Sequence, residues 1–365
     1  LRIWDTRGPL APEFAEAWYA RLGRCPHANF SIDLAYLKWE TRHGRRALAV
    51  LIDEGDRAGA LVMREHGGCW TSGWPWRWQA VVEGAAPAQA IGLREGDCMW
   101  LHRHASRLAG SRVVRLHLPC APDGVPGILS GSTLFYAVDR DDQELLSSMQ
   151  ANKRRMMRRA QDAGYRVRET SDPCDFRRFA ELQREAKLRR HLPAPPVADA
   201  PAPGEDWDEW RLPWMWLLVA DRDGIVESGL GDGLHPGGVL EARAGASSQQ
   251  ARQDGVFALL SYHEARLARD RGYRWINLGG DTPFKRELAG RLGVRVAMHV
   301  WLGGGGISFW RARGEALWAR MRSRAGRLAR DLRVMRAVLL LAVGAAGAAG
   351  VAGDAFAALQ EVLWP

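Results

Sequence analysis

With 365 residues, 47% apolar and 25% charged, the chain has the composition of a folded globular protein rather than a disordered one. At about 100–200 residues per domain it is long enough for two. The formal net charge of +9 favours polyanionic partners such as nucleic acid, nucleotide phosphates or anionic lipid, and supports association without specifying any chemistry. Cys25, Cys69, Cys98, Cys120 and Cys174 are odd in number, far apart and without a CxxC pair. Neither a zinc site nor a disulfide framework is indicated, and a reducing, cytosolic setting is expected.

The first residues, LRIWDTRGPLAPEFAE, mix charges with proline and lack both the apolar core of a signal peptide and an initiator methionine. Helical periodicity at 12–22 precedes strands at 47–53 and 59–65, with Glu54-Gly55-Asp56 as turn chemistry for a hairpin. Four tryptophans, Trp70, Trp74, Trp76 and Trp78, then fall within nine residues around Gly73 and Pro75. Such a density either lines a ligand pocket or plugs the end of a sheet.

A helix at 97–108 and a strand at 112–118 follow. Laid without gaps over the later helix and strand, Leu101, His104, Arg107, Leu108, Ala109, Arg112 and Arg115 match Leu260, His263, Arg266, Leu267, Ala268, Arg271 and Arg274. These seven identities in eighteen positions suggest an internal duplication of a helix–strand unit. The strand 133–138 closes the first half, and Asp139-Arg-Asp-Asp142 caps one long helix running to about 163. Within it Lys153, Arg154, Arg155, Arg158 and Arg159 surround the helix instead of lining one face.

Gly164 ends that helix, 165–169 reads as the first strand of a second domain, and a helix covers 173–190. The Pro-rich stretch 191–205 is an extended loop, either a lid over a site or a tolerated insertion. Strands at 214–221, 225–229 and 239–244 build an antiparallel sheet. From Leu240 to Gly290 come strand, turn, amphipathic helix, strand and a Phe-Lys segment in close succession. The helix start at Arg252-Gln-Asp-Gly255 is a candidate anion site, with Lys285 just beyond the next strand.

Past a strand at 294–302, residues 308–336 carry nine arginines on a helical pattern, and 337–353 are uncharged and rich in Ala and Gly. Seventeen residues at ~1.5 Å rise reach about 25 Å, short of a ~30 Å hydrocarbon core, so a helical hairpin packed on the protein is expected there. A small-residue dimer seam or a basic segment leaning on a membrane face are the other readings.

Asn152-Lys-Arg-Arg155, Arg158-Arg-Ala160, Ala163-Gly-Tyr-Arg-Val167, Gly245-Ala-Ser-Ser248, Arg271-Gly-Tyr273, Leu278-Gly-Gly280 and Phe284-Lys285 together resemble the FemAB-like (BioF2-like) branch of the GNAT acyltransferase superfamily. The match runs from about 145 to 302, in the family's order. The resemblance implies an α+β (mixed α/β) fold of two tandem GNAT-like domains, each a mostly antiparallel mixed sheet flanked by helices. They are expected at 1–140 and 141–305, with a helical tail at 306–365. It implies a cytoplasmic enzyme, or one leaning on a membrane through its tail. That enzyme would move an aminoacyl group from aminoacyl-tRNA to the amine of a peptidoglycan precursor or a small molecule, by direct attack and with no cofactor. Acyl-CoA is the alternative donor, and a non-catalytic basic module that binds nucleic acid or membrane is the reading outside enzymes. The oligomeric state stays open.

Whatever the donor, its carbonyl must be held near the amine, the developing oxyanion needs cationic or N–H donors, and the amine must lose a proton. By resemblance Lys285 contacts oxyanion or phosphate. Lys153, Arg154, Arg155, Arg158, Arg252 and Gly255 are the other donor-binding candidates, and Trp74, Trp76, Trp78 and Phe284 the acceptor pocket. Phe257 stands where the CoA-binding loop of GNAT enzymes has a small residue, which favours tRNA over CoA. Asp281, Glu241 and Tyr262 are candidate proton acceptors beside Asp232 and His263, and spacing selects none of them. Deprotonation assisted by the substrate fits equally. His102 and His104 lack a third ligand, so no metal site is expected.

Overall fold

The computed structural model describes residues 1–303 except 26, 67, 85–91, 111, 122–127, 193–214 and 236–237. The Pro-rich loop from 193 onward, the tryptophans at 207, 210 and 214, and the tail 306–365 therefore lie outside the described residues.

Local chemistry explains the first hairpin. Strands β2 (Ala47–Glu54) and β3 (Arg57–His66) pair from Ala47↔Arg64 to Glu54↔Arg57, leaving Gly55-Asp56 as a two-residue turn with Gly55 at φ 62°. Both faces of this hairpin are buried. Val50 and Ile52 point toward helix α3 (Glu95–Ala109), while Ala49 and Leu51 point toward α1 (Pro12–Gly23) and α2 (Leu34–Arg42).

The second half repeats the plan. On β9 (Met215–Arg222), Trp216, Leu218 and Ala220 join the core under α4 (Asp142–Ser148), α5 (Ala151–Asp162) and α8 (Val256–Asp270). Leu217 and Val219 pack instead under α6 (Pro173–Arg189).

All strands among the described residues belong to one thirteen-stranded sheet of order β1-β2-β3-β4-β6-β13-β7-β12-β11-β10-β9-β8, with β5 (Ala80–Val82) on the side of β3. Here β1 is Arg2–Asp5, β4 Cys69–Ser72, β6 Val114–Leu118, β7 Ile128–Ala137, β8 Arg166–Glu169, β10 Ile225–Gly233, β11 Leu240–Ser247, β12 Trp275–Gly280 and β13 Gly293–Gly303. In each half a single parallel pair needs a crossover helix: α3 between β4 and β6, and α8 between β11 and β12. These two units are the duplicated segments of the sequence, and their shared Leu101 and Leu260 are both fully buried.

The last strand of each half crosses over. β13 pairs with β6, β7 pairs with β12, and the two lie antiparallel to each other at the centre. The halves expected at 1–140 and 141–305 are thus joined through one sheet, and the described residues form one compact unit.

Two helix expectations are corrected. The long helix from 142 to about 163 is broken at Met149-Gln150, both extended, where the Gln150 N–H donates to the Glu287 carbonyl at 2.9 Å. A tertiary partner replaces the intrahelical one. The helix expected to open at Arg252 begins earlier, as α7 (Gln249–Asp254) capped by Ser248, and α8 starts afresh after Gly255 at φ 81°. Arg252 therefore lies in the last turn of a short helix.

Candidate active site

The parallel pair at the centre of the second half does not stay paired. β11 and β12 share register only at Leu240↔Ile276 and Glu241↔Asn277; beyond that β11 continues beside β10 to Ser247 and its other edge opens on a cleft. Clefts at the carboxyl ends of parallel strands are where α/β proteins place ligands. A cavity of about 490 Å³ borders the end of β11 beyond this pairing. Its walls are Gly245, Ala246 and Ser247 of β11, Phe257 of α8, Phe284 of α9 (Pro283–Ala289) and Met156 of α5, with Arg189, Arg190 and Arg252 among the lining residues.

Phe257 is built into the cleft. Its ring covers Gly245 so closely that a Cβ there would stand 2.5 Å from it, and it packs on Phe284 at 5.7 Å between centroids. α5 packs on Gly255, where a Cβ would meet the Met156 backbone oxygen at 2.9 Å. The anion cradle expected at Arg252–Gly255 is divided between the last turn of α7 and the start of α8, and Arg252 and Gly255 both line the cavity.

Lys285 is set by its cap. Thr282 accepts from the Lys285 N–H, Pro283 opens α9, and the side chain folds back so that Nζ donates to the Leu278 carbonyl at the end of β12. The ammonium is half-buried. Desolvation lowers its pKa, while Glu264 and Asp281 oppose that shift. Gly279, at φ 75°, leaves room for an unexpected neighbour: a Cβ there would lie 3.6 Å from Lys285 Nζ and 3.9 Å from Cδ1 of Trp76. The first half of the chain thereby reaches the lysine of the second.

The tryptophan cluster divides into separate roles. Trp78 is 3% exposed and packs on Phe135, so it is core. Trp74 is sandwiched by the guanidinium groups of Arg64 and Arg77 at 5.2 and 5.5 Å. Trp76 is 44% exposed, on a turn closed by paired backbone bonds between Trp74 and Arg77. Of the three, only Trp76 is exposed beside Lys285.

Asn277, which sequence reasoning missed, fastens this turn to the second half. Its amide donates to the Trp76 carbonyl and to Glu241 at 3.2 Å each, and its oxygen accepts from Thr133 and the Gly279 N–H. A polar residue in the otherwise apolar strand Trp275-Ile-Asn-Leu was the available signal.

Glu241 is 1% exposed and held by Arg77 at 2.5 Å as well as Asn277. Burial raises its pKa and the Arg77 charge opposes this. It bridges the halves. Asp281 is paired with Arg286 and Arg295 at 3.2 and 2.8 Å. Tyr262 is buried on α8, its hydroxyl pKa raised by desolvation, and its charged neighbours Asp142, Arg266 and Arg269 lie away from the Lys285 cluster. Asp232, fully buried on β10, meets a second carboxyl that the sequence did not flag, Glu264 of α8, and burial raises both pKa values. His263 is lowered by burial beside Tyr262. His102 and His104 are bonded to the Leu302 carbonyl and to Glu54, and no cluster of three or more His, Cys, Asp or Glu suited to a metal occurs among the described residues.

The cations of α5 fall into three groups. Lys153 is buried, paired with Glu287 at 3.0 Å and stacked on Phe284 at 4.2 Å, so it supports the cleft wall. Arg154 and Arg159 bond to the carbonyls of Met149 and Gln253. Arg155 and Arg158 are exposed and make no ion pair among the described residues.

Two halves, each with a parallel pair crossed by a helix, joined in one sheet through exchanged final strands, make a mixed α/β fold of the tandem GNAT type. It is the fold of FemX, which superposes with a TM-score of 0.55 at 13% identity over 83% of this chain and 95% of FemX. The C-terminal domain of an Agrobacterium fabrum protein assigned as a lysylphosphatidylglycerol synthetase superposes at 0.50 and 13% identity, over 86% of this chain and 96% of that one. No family model and no curated protein matches the sequence.

Proposed function

We propose that this chain is an N-acyltransferase that moves an aminoacyl group from aminoacyl-tRNA to an amine acceptor. The amine nitrogen attacks the ester carbonyl directly; the new C–N bond forms, the C–O bond to the ribose breaks, and the departing hydroxyl takes up a proton as the amine gives one up. Lys285 is the cation available to the oxyanion, and Trp76 flanks the point where donor and acceptor meet. The fold shared with a lysylphosphatidylglycerol synthetase domain supports an aminoacyl cargo.

The observation that carries the choice of donor is Phe257 in the first turn of α8, whose ring fills the space over Gly245 beside the cavity. A pyrophosphate needs open backbone N–H groups at such a helix end. By contrast, the exposed Arg155 and Arg158, which make no ion pair among the described residues, with Arg252 at the cavity, offer a cationic surface to a nucleic-acid backbone. The open edge of β11 is the one feature that favours the acyl-CoA reading, because an extended thioester arm can bond to it.

Mass spectrometry of products after incubation with a charged tRNA pool or an acyl-CoA panel, each with a set of amines, separates these readings. Aminoacylated amine only in the tRNA arm is the expected result. Product only in the CoA arm overturns the choice of donor, and salt-dependent tRNA binding without product in either arm overturns the enzyme. Replacing Arg155 and Arg158 by Gln is expected to weaken tRNA binding and to flatten its log–log salt slope by about 1–2.

A further inference from the structure

Close to Lys285, two further cations converge on one carboxylate. Asp281 stands where the chain leaves β12, and its side chain is only 5% exposed. Its backbone N–H donates to the Ser132 carbonyl of β7 at 3.1 Å, and the Ser132 hydroxyl donates to Oδ2 at 3.4 Å. Nε of Arg286 from α9 lies 3.2 Å from one carboxylate oxygen, and Nε of Arg295 from β13 lies 2.8 Å from the other. Neither arginine makes another ion pair among the described residues, and their side chains are 55% and 63% exposed. A guanidinium anchored through Nε keeps its Nη hydrogens for another acceptor. Glu287, the other acid of α9, is already held by Lys153 and Asn152. With Lys285 beside them, the two arginines leave this spot net cationic.

The position of this pair separates it from the cavity. Gly279, the residue whose missing side chain admits Lys285 Nζ and Trp76, precedes Asp281 by two residues and so stands at most about 7 Å from it along the chain. Phe284 lines the cavity, and Arg286, two residues further on in α9, does not share that face. We infer that Arg286 and Arg295 are a specificity subsite for the amine acceptor, and that this acceptor carries an anionic group, phosphate or carboxylate, near its amine. The inference rests on the acyl-transfer reading of the site. Both guanidinium groups bind the anion through their Nη hydrogens while the amine stands between Lys285 and Trp76. Asp281 is a positioning residue: it holds the two arginines before the acceptor arrives, so less side-chain freedom is lost on binding.

The test titrates the full chain calorimetrically with O-phosphoethanolamine, β-alanine and ethanolamine, which share a primary amine and differ in the anion. At least one of the anionic amines is expected to bind about tenfold or more tighter than ethanolamine, and the tighter of the two identifies the group. In the doubly substituted protein, Arg286→Gln with Arg295→Gln, that preference is expected to fall to near one. Absent or equal binding of the three probes overturns the inference, as does a preference for the anionic amines that survives the double substitution. Aminoacyl transfer from charged tRNA to the same probes is followed alongside. Arginine-dependent binding without any transferred product confines the failure to the transferase reading, whereas product formed with no preference among the probes confines it to the subsite.

Discussion

Lys285 is one of four lysines in a chain with 51 basic residues, and its ammonium is held back on the Leu278 carbonyl instead of extending into solvent. Such a group is placed before the ligand arrives, which is what oxyanion stabilisation requires. Lys285→Ala is therefore expected to lower kcat for aminoacyl transfer by about 10²–10³-fold. tRNA affinity, measured by filter binding, is expected to change little. An equal loss in binding would make the lysine a phosphate contact instead. At this scale the Phe-Lys segment was readable in the sequence, because it is local. Trp76 as the neighbour of Lys285 was not, since they are brought together through Asn277 and the turn it holds. Trp78 and Trp74 carry the same side chain as Trp76 and the same spacing, yet one is core and the other a clamp for arginines.

At the scale of elements, the cleft is shaped by two glycines as much as by its side chains. Gly255 at φ 81° separates α7 from α8 and lets the Met156 backbone approach, so Gly255→Ala combines a left-handed conformation with a steric clash. A loss of about 1–3 kcal/mol is expected from the backbone conformation alone, measured by urea denaturation. An unchanged midpoint would mean that α5 does not pack against Gly255. The break at Met149-Gln150 follows similar physics. Helix propensity through 142–163 is continuous, and the extended pair is favoured only because Glu287 supplies a carbonyl from another element.

For the whole molecule, the exchange of β7 and β13 makes each half incomplete. Residues 141–303 expressed alone would leave β12 without β7 and β13 without either neighbour, exposing long strand edges. Aggregation, or a poorly dispersed NMR spectrum, is expected from that fragment; a cooperative, well-dispersed monomer would show that the halves fold independently.

The Asp232–Glu264 pair acts on global stability. Burial raises both pKa values, that of Glu264 to about 8, so the native state keeps protons that the unfolded chain releases near the usual carboxylate range. Stability is fully present below about pH 4.5 as far as this pair is concerned. It falls as pH rises through about 8, where Glu264 ionises, and goes on falling as Asp232, held well above the usual carboxylate range, gives up its proton. Glu264→Gln is expected to flatten that decline in thermal melts taken from pH 5 to 9. An unchanged slope would mean that the pair is not the titrating group.

What the sequence by itself determined is local. The Gly55-Asp56 hairpin, the amphipathic helices, the alternating strands and the duplicated helix–strand unit follow from turn chemistry and periodicity within windows of about 20 residues. The family resemblance, carried by short ordered motifs, extended that reading to the tandem fold. Only the tertiary structure decided which final strand pairs with which half, where two helices break, which tryptophan borders Lys285, and that Asp232 meets Glu264. Each depends on partners far apart in the chain, and no local propensity encodes a partner; it is set when apolar faces and backbone polar groups are satisfied together.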